Sequence, residues 1–206
     1  MSDSNNTTFY TIYSPQAIFQ HYVNDCESLN VYLNKCIEDY KKEHPKSNES
    51  NVFAWHTDYF THQKTDVFKP LIDTVENYAL YAANEWMNAG LDQPYKLYVS
   101  NLWCTKYKQN DYTRLHAHFP AVFSACYYVD VEENASPIIY GEDKSKFCKE
   151  FGADAWDKEG HKNITIQPKP GMLLLWQGSI PHRVERTFSN RTCICMNINI
   201  QWCDYE

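Results

Sequence analysis

The chain has 206 residues, of which 43% are hydrophobic and 22% are charged, so it is long and apolar enough to form one globular domain with a full core. An aromatic content of 16% excludes a disordered chain. The 26 acidic residues outnumber the 19 basic ones, which gives a net charge of −7, and no run of lysine and arginine resembles a nucleic-acid-binding stripe. Nucleic acid is therefore disfavoured as a partner.

The sequence shows no sign of membrane insertion or secretion. Its longest apolar run, residues 172–176, is far too short to span a bilayer. The first six residues have neither the basic start nor the apolar stretch of a secretory signal. We therefore expect a cytoplasmic protein without a membrane partner. In such a protein the eight cysteines are expected to be free, buried thiols.

The first 94 residues predict a helical support region. Residues 16–23 alternate loosely and predict a short strand. Residues 25–42 carry apolar side chains at helical spacing, with Asn24 or Asp25 as the N-cap. A second helix is predicted over residues 66–89, where Thr65 or Asp66 can cap the start and Gly90 suits the left-handed position after the end.

Residues 95–206 predict a β-rich core. Short segments rich in β-branched and aromatic residues are separated by turn residues, and the predicted strands are 95–104, 112–119, 122–131, 164–167, 172–176, 182–187 and 191–202. Many short strands at this spacing favour a sandwich or barrel. We therefore predict a single α+β domain whose helices buttress a β core. Residues 132–163 are polar and predict a long inserted loop, which is usually a lid or a binding element.

Three histidines of the β-rich half suggest a metal site. His116 and His118 lie two residues apart, so on a strand both side chains point to the same face. His182 follows a turn and could supply a third ligand from a neighbouring strand. Three ligands on one face leave positions open for substrate and dioxygen, as in non-haem iron enzymes. The alternative is that these imidazoles only pack and form hydrogen bonds with neighbours.

Arg191 stands at the start of an apolar strand, where a buried guanidinium is costly unless an anion pairs with it. The planar guanidinium suits a carboxylate bound through two hydrogen bonds. A salt bridge to an Asp or Glu of the chain, or a surface position at the turn, would explain the residue equally well.

Several segments of the β-rich half carry a family resemblance through their order and spacing. They are Asn101-Leu102-Trp103, His116-x-His118-Phe119-Pro120, Ser124-Ala125-Cys126-Tyr127-Tyr128-Val129, Pro170-Gly171-x-Leu173-Leu174-Leu175-Trp176, His182-x-Val184 and Arg191. In this order they resemble the 2-oxoglutarate/Fe(II)-dependent oxygenases of marine phages and bacteria, which are distant relatives of the prolyl hydroxylases. The resemblance implies a double-stranded β-helix, or jelly roll, with the metal at its open end.

The resemblance also implies roles for individual residues. His116 and His182 match iron ligands, and Arg191 matches the residue that pairs with the distal carboxylate of 2-oxoglutarate. Tyr128 matches a strand tyrosine that donates a hydrogen bond to this cosubstrate, and Tyr107 occupies a comparable place. For both tyrosines, core packing is the alternative.

His118 departs from the wider superfamily, which has Asp or Glu two residues after the first histidine. We keep His118 as the third ligand. A face of three histidines carries no charge to offset Fe(II) and resembles the site of thiol dioxygenases.

These residues together predict an oxygenase that uses Fe(II) and 2-oxoglutarate, with no catalytic side chain beyond the metal site. The expected reaction is a hydroxylation coupled to oxidative decarboxylation of 2-oxoglutarate. The expected partners are dioxygen and a small-molecule or peptide substrate, with contacts in residues 132–163 and 55–60, and the helical half offers surfaces for a homodimer. The alternatives are a cupin-like three-histidine dioxygenase that does not use 2-oxoglutarate, and a non-catalytic jelly-roll binding protein.

Overall fold

The computed structural model describes residues 17–47, 50–87, 95–141 and 163–203. Within these ranges the chain forms two α-helices and eleven strands. The helices are α1 (Cys26–Glu43) and α2 (Lys69–Met87). The strands are β1 (Ile18–Tyr22), β2 (Val52–Phe53), β3 (Trp55–His56), β4 (Tyr95–Tyr107), β5 (Tyr112–His116), β6 (Phe123–Val131), β7 (Ile138–Tyr140), β8 (Ile164–Ile166), β9 (Met172–Gln177), β10 (His182–Val184) and β11 (Arg191–Trp202).

Helix α1 confirms the helix predicted over residues 25–42. It buries Leu33 and Ile37, one turn apart, against the core. Asp25 is the N-cap residue, but its backbone is left-handed, with φ of 50°, and its side chain makes no capping hydrogen bond. The prediction that the Asp25 side chain caps this helix is therefore wrong. The ends of the helix are stabilised instead by charge, since Glu27 lies in the first turn and two lysines lie in the last.

Helix α2 confirms the second predicted helix and starts with a short 3-10 turn at Asp66–Phe68. The Thr65 hydroxyl accepts a hydrogen bond from the Val67 N–H at 3.3 Å, as expected of the N-cap. One apolar stripe of this helix and its preceding turn faces the core, and its buried members are Phe68, Leu71, Val75, Ala79 and Ala82. Gly90, predicted to end this helix, lies outside the described residues.

The strands form two antiparallel sheets. The larger sheet has the order β1-β9-β6-β11-β4-β3, and the smaller has the order β2-β5-β10-β7-β8. Every strand of the smaller sheet is short, with at most five residues, whereas β4 and β11 of the larger sheet pair along almost their whole length.

Two separate apolar cores flank the larger sheet, because alternate side chains of its strands point to opposite faces. One core lies between this sheet and the helices, and it contains Leu33, Leu71, Tyr127, Leu173 and Ile194 among others. The other contains side chains of both sheets, including Tyr128, Leu174, Cys193, Tyr140 and Val184. The predicted α+β architecture, with helices buttressing a two-sheet jelly roll, is confirmed.

The prediction of an inserted loop over residues 132–163 is wrong in part. Strand β7 (Ile138–Tyr140) lies within that range and pairs with both β8 and β10. Its three apolar residues are too few to show an alternation in the sequence, and pairing on both sides is what holds them extended. Residues 142–162, the rest of the predicted loop, lie outside the described residues.

The first 94 residues also contribute strands to both sheets. Strand β1 confirms the strand predicted over residues 16–23 and pairs with β9, whereas β2 and β3, which were not predicted, pair with β5 and β4. The proposed division at residue 94 stays a prediction. Neither α1 nor α2, nor any other helix within the described residues, has the length and apolarity needed to cross a membrane.

Candidate metal centre and cosubstrate cavity

A cavity of about 460 Å³, its open mouth included, lies between the two sheets. All six residues predicted to bind the metal or the cosubstrate line this cavity: His116, His118, His182, Arg191, Tyr107 and Tyr128. They come from strands β4, β5, β6, β10 and β11, and from the turn after β5. The fold therefore brings together residues that are up to 84 positions apart in the chain, counted from Tyr107 to Arg191.

The three predicted ligands form one cluster. His116, the last residue of β5, lies directly opposite His182, the first residue of β10, in the antiparallel pairing. His118 lies just beyond the end of β5, where its N–H donates a 2.7 Å hydrogen bond to the Gly178 carbonyl. The centroids of the three imidazole rings are 4.3–5.0 Å apart, and one nitrogen atom from each ring lies within 4.8 Å of the other two.

Backbone carbonyls orient two of the imidazoles. The Nδ1 of His116 lies 2.8 Å from the Arg114 carbonyl oxygen, and the Nδ1 of His182 lies 3.1 Å from the Ile180 carbonyl oxygen. Because a carbonyl only accepts, both Nδ1 atoms are donors, which leaves Nε2 as the free lone pair of each neutral ring. Metal-binding histidines are commonly held by this kind of second hydrogen bond.

Burial keeps the three rings neutral. It lowers the pKa of His116, and it lowers the pKa of His118 to about 3, with a further contribution from the neighbouring His116. Burial and the two other imidazoles hold the pKa of His182 well below its usual value. Three neutral imidazoles with nitrogen atoms this close suit a divalent transition metal, so the residues fit the predicted ion.

Arg191 lies in the same cavity and lacks an anionic partner. Its side chain is buried, with 3% exposed, and its Nη1 donates a 2.7 Å hydrogen bond to the Ser136 carbonyl. Its Nε has no hydrogen-bond partner, and no carboxylate in the described part of the chain forms an ion pair with it. Neither alternative expected from the sequence, an internal salt bridge or a surface position, is found there. A bound carboxylate would satisfy the charge.

The two predicted tyrosines differ in their hydrogen bonding. The Tyr128 hydroxyl is buried and has no partner among the described residues, and burial holds its pKa well above the usual value, so it is a neutral donor facing the cavity. The Tyr107 hydroxyl bonds to the Thr113 hydroxyl at 2.6 Å. The Tyr107 ring lies 4.2 Å from the Arg191 guanidinium carbon and packs against that cation. The Tyr128 hydroxyl, unlike that of Tyr107, is therefore available to donate a hydrogen bond to a ligand.

Other aromatic residues near the histidines were not predicted as site residues. The Trp176 ring lies 4.9 Å from the His182 ring and 5.3 Å from the Tyr140 ring. The Trp176 Nε1 and the Tyr140 hydroxyl are both buried without a partner in the described ranges. The alternation of residues 172–176 places Trp176 on the same face as Met172 and Leu174. Nothing in the sequence marks Tyr140, because β7 is too short to show an alternation.

The segment of residues 55–60, predicted to contact substrate, lies beside the cavity. Trp103, which lines the cavity, has its ring 5.6 Å from the His118 ring and 5.2 Å from the Tyr59 ring. Phe60, at the end of the segment, is 48% exposed. Two aromatic side chains, Trp103 and Tyr59, therefore lead from His118 towards the surface, where Tyr59 is 37% exposed.

Comparisons with known proteins agree with the fold and with the residues that line the cavity. Residues 101–199, which are 99 of the 206 residues, match the model of a family described as "Putative 2OG-Fe(II) oxygenase". The matched stretch begins in β4 and ends in β11, so it includes the three histidines and Arg191. No curated protein matches the chain.

Solved structures of similar fold share little sequence with the chain. The carbocyclase SnoK from nogalamycin biosynthesis, titled as non-haem and α-ketoglutarate-dependent, has a TM-score of 0.65 at 12% identity, covering 89% of this chain and 79% of its own. A prolyl hydroxylase from Trichoplax adhaerens, in complex with a peptide fragment, has a TM-score of 0.60 at 13% identity, with 92% and 83% covered. HygX from Streptomyces hygroscopicus, with nickel and 2-oxoglutarate bound, has a TM-score of 0.58 at 10% identity, with 89% and 82% covered.

These similarities establish the double-stranded β-helix fold of the 2-oxoglutarate oxygenases. Together with the family match and the three-histidine cluster, they support iron and 2-oxoglutarate as the cofactors, and they support an oxidoreductase of the 2OG-Fe(II) oxygenase class.

Proposed function

We propose that this protein is a non-haem oxygenase that uses Fe(II) and 2-oxoglutarate to hydroxylate a small-molecule or peptide substrate. The observation that carries the proposal is one cavity lined both by three neutral histidines and by a buried Arg191 that has no carboxylate partner among the described residues. A metal site alone would not need a buried cation, and a cation alone would not need three converging imidazoles.

The proposed roles follow from the contacts. His116, His118 and His182 would hold the iron, with the first two presented by β5 and the turn after it. Arg191 would bind the distal carboxylate of 2-oxoglutarate, and Tyr128 would donate a hydrogen bond to it. When bound, the iron would allow dioxygen to act as the oxidant, with one oxygen atom entering succinate as 2-oxoglutarate loses carbon dioxide and the other entering the hydroxylated substrate. The protein contributes orientation and the exclusion of water.

The substrate would enter past Trp103 and Tyr59, beside His118, with the exposed Phe60 following Tyr59 in the chain. The similar Trichoplax adhaerens structure contains a peptide fragment, which keeps a peptide among the candidates. A cytoplasmic location, a phage or bacterial origin, a homodimer and a substrate role for residues 132–163 all stay predictions from the sequence.

The proposal is tested by measuring succinate in the absence of a prime substrate. Iron-loaded protein supplied with 2-oxoglutarate and dioxygen is expected to form succinate slowly, and the His182→Ala variant is expected to form none. The Arg191→Met variant should need at least tenfold more 2-oxoglutarate, since each charge-assisted hydrogen bond contributes about 1.5–3 kcal/mol. The matched control is Arg186→Met, which removes an exposed arginine outside the cavity and should leave the rate unchanged.

The three-histidine site also favours a second candidate, a dioxygenase that binds a substrate carboxylate at Arg191 and does not use 2-oxoglutarate. That function predicts iron binding without succinate formation and without measurable affinity for 2-oxoglutarate. Succinate formed in the absence of a prime substrate excludes it.

A further inference from the structure

A second cluster of metal-ligating side chains lies in the same cavity. Cys126 of β6 and Cys193 and Cys195 of β11 all line it, and their sulfur atoms lie within 4.8 Å of one another. The Cys195 Sγ is 3.8 Å from the Cys126 Sγ and 4.0 Å from the Cys193 Sγ. All three are free thiols in the structure.

The strand register explains why these thiols converge. Arg191, Cys193 and Cys195 alternate along β11, so their side chains share the cavity face of the larger sheet. Cys126 lies directly opposite Cys195 on the neighbouring antiparallel strand, two residues before Tyr128. The thiols therefore face a cavity rather than only filling the core between close-packed side chains.

The distances and the charge suit a thiophilic ion. Tetrahedral zinc with Zn–S bonds of about 2.3 Å separates its sulfur ligands by roughly 3.8 Å, which is close to the two measured separations. The hydrogen bonds among the thiols leave the pKa of Cys193 lowered and those of Cys126 and Cys195 raised. The charge of Arg191 in the same cavity acts to lower the pKa of Cys126 and Cys193. Three thiolates and a divalent cation carry one net negative charge, and Arg191 would be their counter-ion when no 2-oxoglutarate is bound.

We propose that Cys126, Cys193 and Cys195 form a second metal site, distinct from the three histidines, that binds a thiophilic ion such as Zn²⁺. Each thiol releases its proton to solvent when it binds, and no oxidation is involved. Solvent from the cavity would complete the coordination, since no further cysteine, histidine or carboxylate of the described residues belongs to the cluster. The proposal does not depend on the proposed oxygenase function.

The site is tested with Co²⁺ as a spectroscopic substitute for Zn²⁺, under anaerobic and reducing conditions. The protein used is the His116→Ala/His182→Ala variant, in which the histidine site is disabled. Titration is expected to produce a near-ultraviolet sulfur-to-cobalt charge-transfer band that saturates at one equivalent and disappears when Zn²⁺ is added. Adding the Cys193→Ser change should weaken the band and the cobalt affinity, because one of three thiolate ligands is lost, and adding Cys195→Ser as well should abolish the band.

The matched control is Cys36→Ser, which removes a half-buried thiol outside this cavity and should leave the band intact. Circular dichroism checks that each variant is folded, and Cys195→Ser replaces Cys193→Ser if that variant is unfolded. The wild-type protein provides a reading that needs no variant, since cobalt bound only by histidines gives no sulfur band. Absence of the band in the wild type overturns the proposal. So does a band that persists in a variant that lacks both Cys193 and Cys195.

Discussion

At the scale of single residues, the cavity is defined by polar groups that have no partner within the described chain. Three such groups are buried without a hydrogen-bond partner: Arg191 Nε, the Tyr128 hydroxyl and Trp176 Nε1. An unpaired buried donor costs free energy, so groups of this kind are retained where a ligand satisfies them. The clustering of three such donors near three histidines indicates a binding cavity rather than a packing defect.

The two tyrosines beside Arg191 allow a matched test of this view. Tyr128→Phe removes a hydroxyl that has no partner in the described chain, so it should not lower the free energy of unfolding. It should weaken 2-oxoglutarate binding about five- to tenfold, equivalent to about 1–1.5 kcal/mol. Tyr107→Phe breaks the hydrogen bond to Thr113 and should destabilise the fold by about 1 kcal/mol while leaving 2-oxoglutarate affinity unchanged. Urea unfolding and calorimetric titration measure both quantities. The reverse pattern would contradict the assignment of Tyr128.

At the scale of elements, short strands and turns position the histidines. The turn after β5 is held to the end of β9, because the His118 N–H bonds to the Gly178 carbonyl and the Gly178 N–H bonds to the Val122 carbonyl. A Cβ atom at Gly178 would lie 2.2 Å from the Ala121 carbonyl oxygen. Only glycine therefore allows these two backbones to approach so closely.

The two glycines that flank β9, Gly171 and Gly178, should respond differently to substitution by alanine. Gly178→Ala must displace the backbone next to His118, so Fe(II) affinity should fall at least tenfold. Gly171→Ala places alanine at φ of 79° and against the Cys26 sulfur, so it should lower the free energy of unfolding by more than about 1 kcal/mol but spare the metal site. Iron titration and urea unfolding distinguish the two effects. Unchanged iron affinity in Gly178→Ala would show that this turn does not position His118.

Elements with a periodic or β-branched pattern bounded by turn residues could be predicted from the sequence, including the three-residue strands β8 and β10, although the prediction for β10 ran three residues too far. Helix α1 is predictable because Leu33 and Ile37 repeat at helical spacing, and β11 is predictable because residues 191–202 are rich in apolar and β-branched side chains after a turn. Strands β2, β3 and β7 have only two or three residues, and their pairing partners, not their own sequences, hold them extended.

The same limit applies to the site. The spacing of His116 and His118 and the cost of burying Arg191 can be read from the sequence because each argument is local, and the fold brings all three residues to one cavity although His118 lies beyond the end of β5. Their roles stay predictions. Neither the approach of Trp176 and Tyr140 to His182 nor the convergence of Cys126 with Cys195 could be predicted, because both depend on the register between strands that are far apart in the chain.

At the scale of the whole molecule, the larger sheet separates a structural core from a functional one. The helix-side core contains apolar side chains, whereas the core between the sheets also contains the arginine, the histidines and the thiols. Stability and binding should therefore respond to different substitutions.

Helix α1 provides a test of this separation. Leu33 is fully buried in the helix-side core, so Leu33→Ala should lower the free energy of unfolding by about 2–5 kcal/mol. Iron affinity of the folded protein should not change. Val31→Ala, at a 73% exposed position of the same helix, is the control and should change stability by less than about 0.5 kcal/mol. A parallel loss of iron affinity in Leu33→Ala would show that the two cores are coupled.

Metal binding should also stabilise the whole domain, because the three histidines converge only in the folded state. At a Fe(II) concentration 100 times the Kd, the gain is about 2.7 kcal/mol, which for a chain of this length raises the Tm by roughly 5–10 °C. Anaerobic thermal unfolding measures this shift, and His182→Ala should remove it. An equal shift in that variant would mean that iron stabilises the protein at some other site.

The central claim is that the histidines and Arg191 bind iron and 2-oxoglutarate together in one cavity. Its most direct test is an anaerobic titration of metal-stripped protein with Fe(II) and then with 2-oxoglutarate, followed by visible absorption. We predict a weak metal-to-ligand charge-transfer band that requires both, is absent in His182→Ala and shifts to much higher 2-oxoglutarate concentration in Arg191→Met. Iron binding without any band on addition of 2-oxoglutarate would contradict the claim and favour the three-histidine dioxygenase, and failure to bind either would leave a non-catalytic jelly-roll protein.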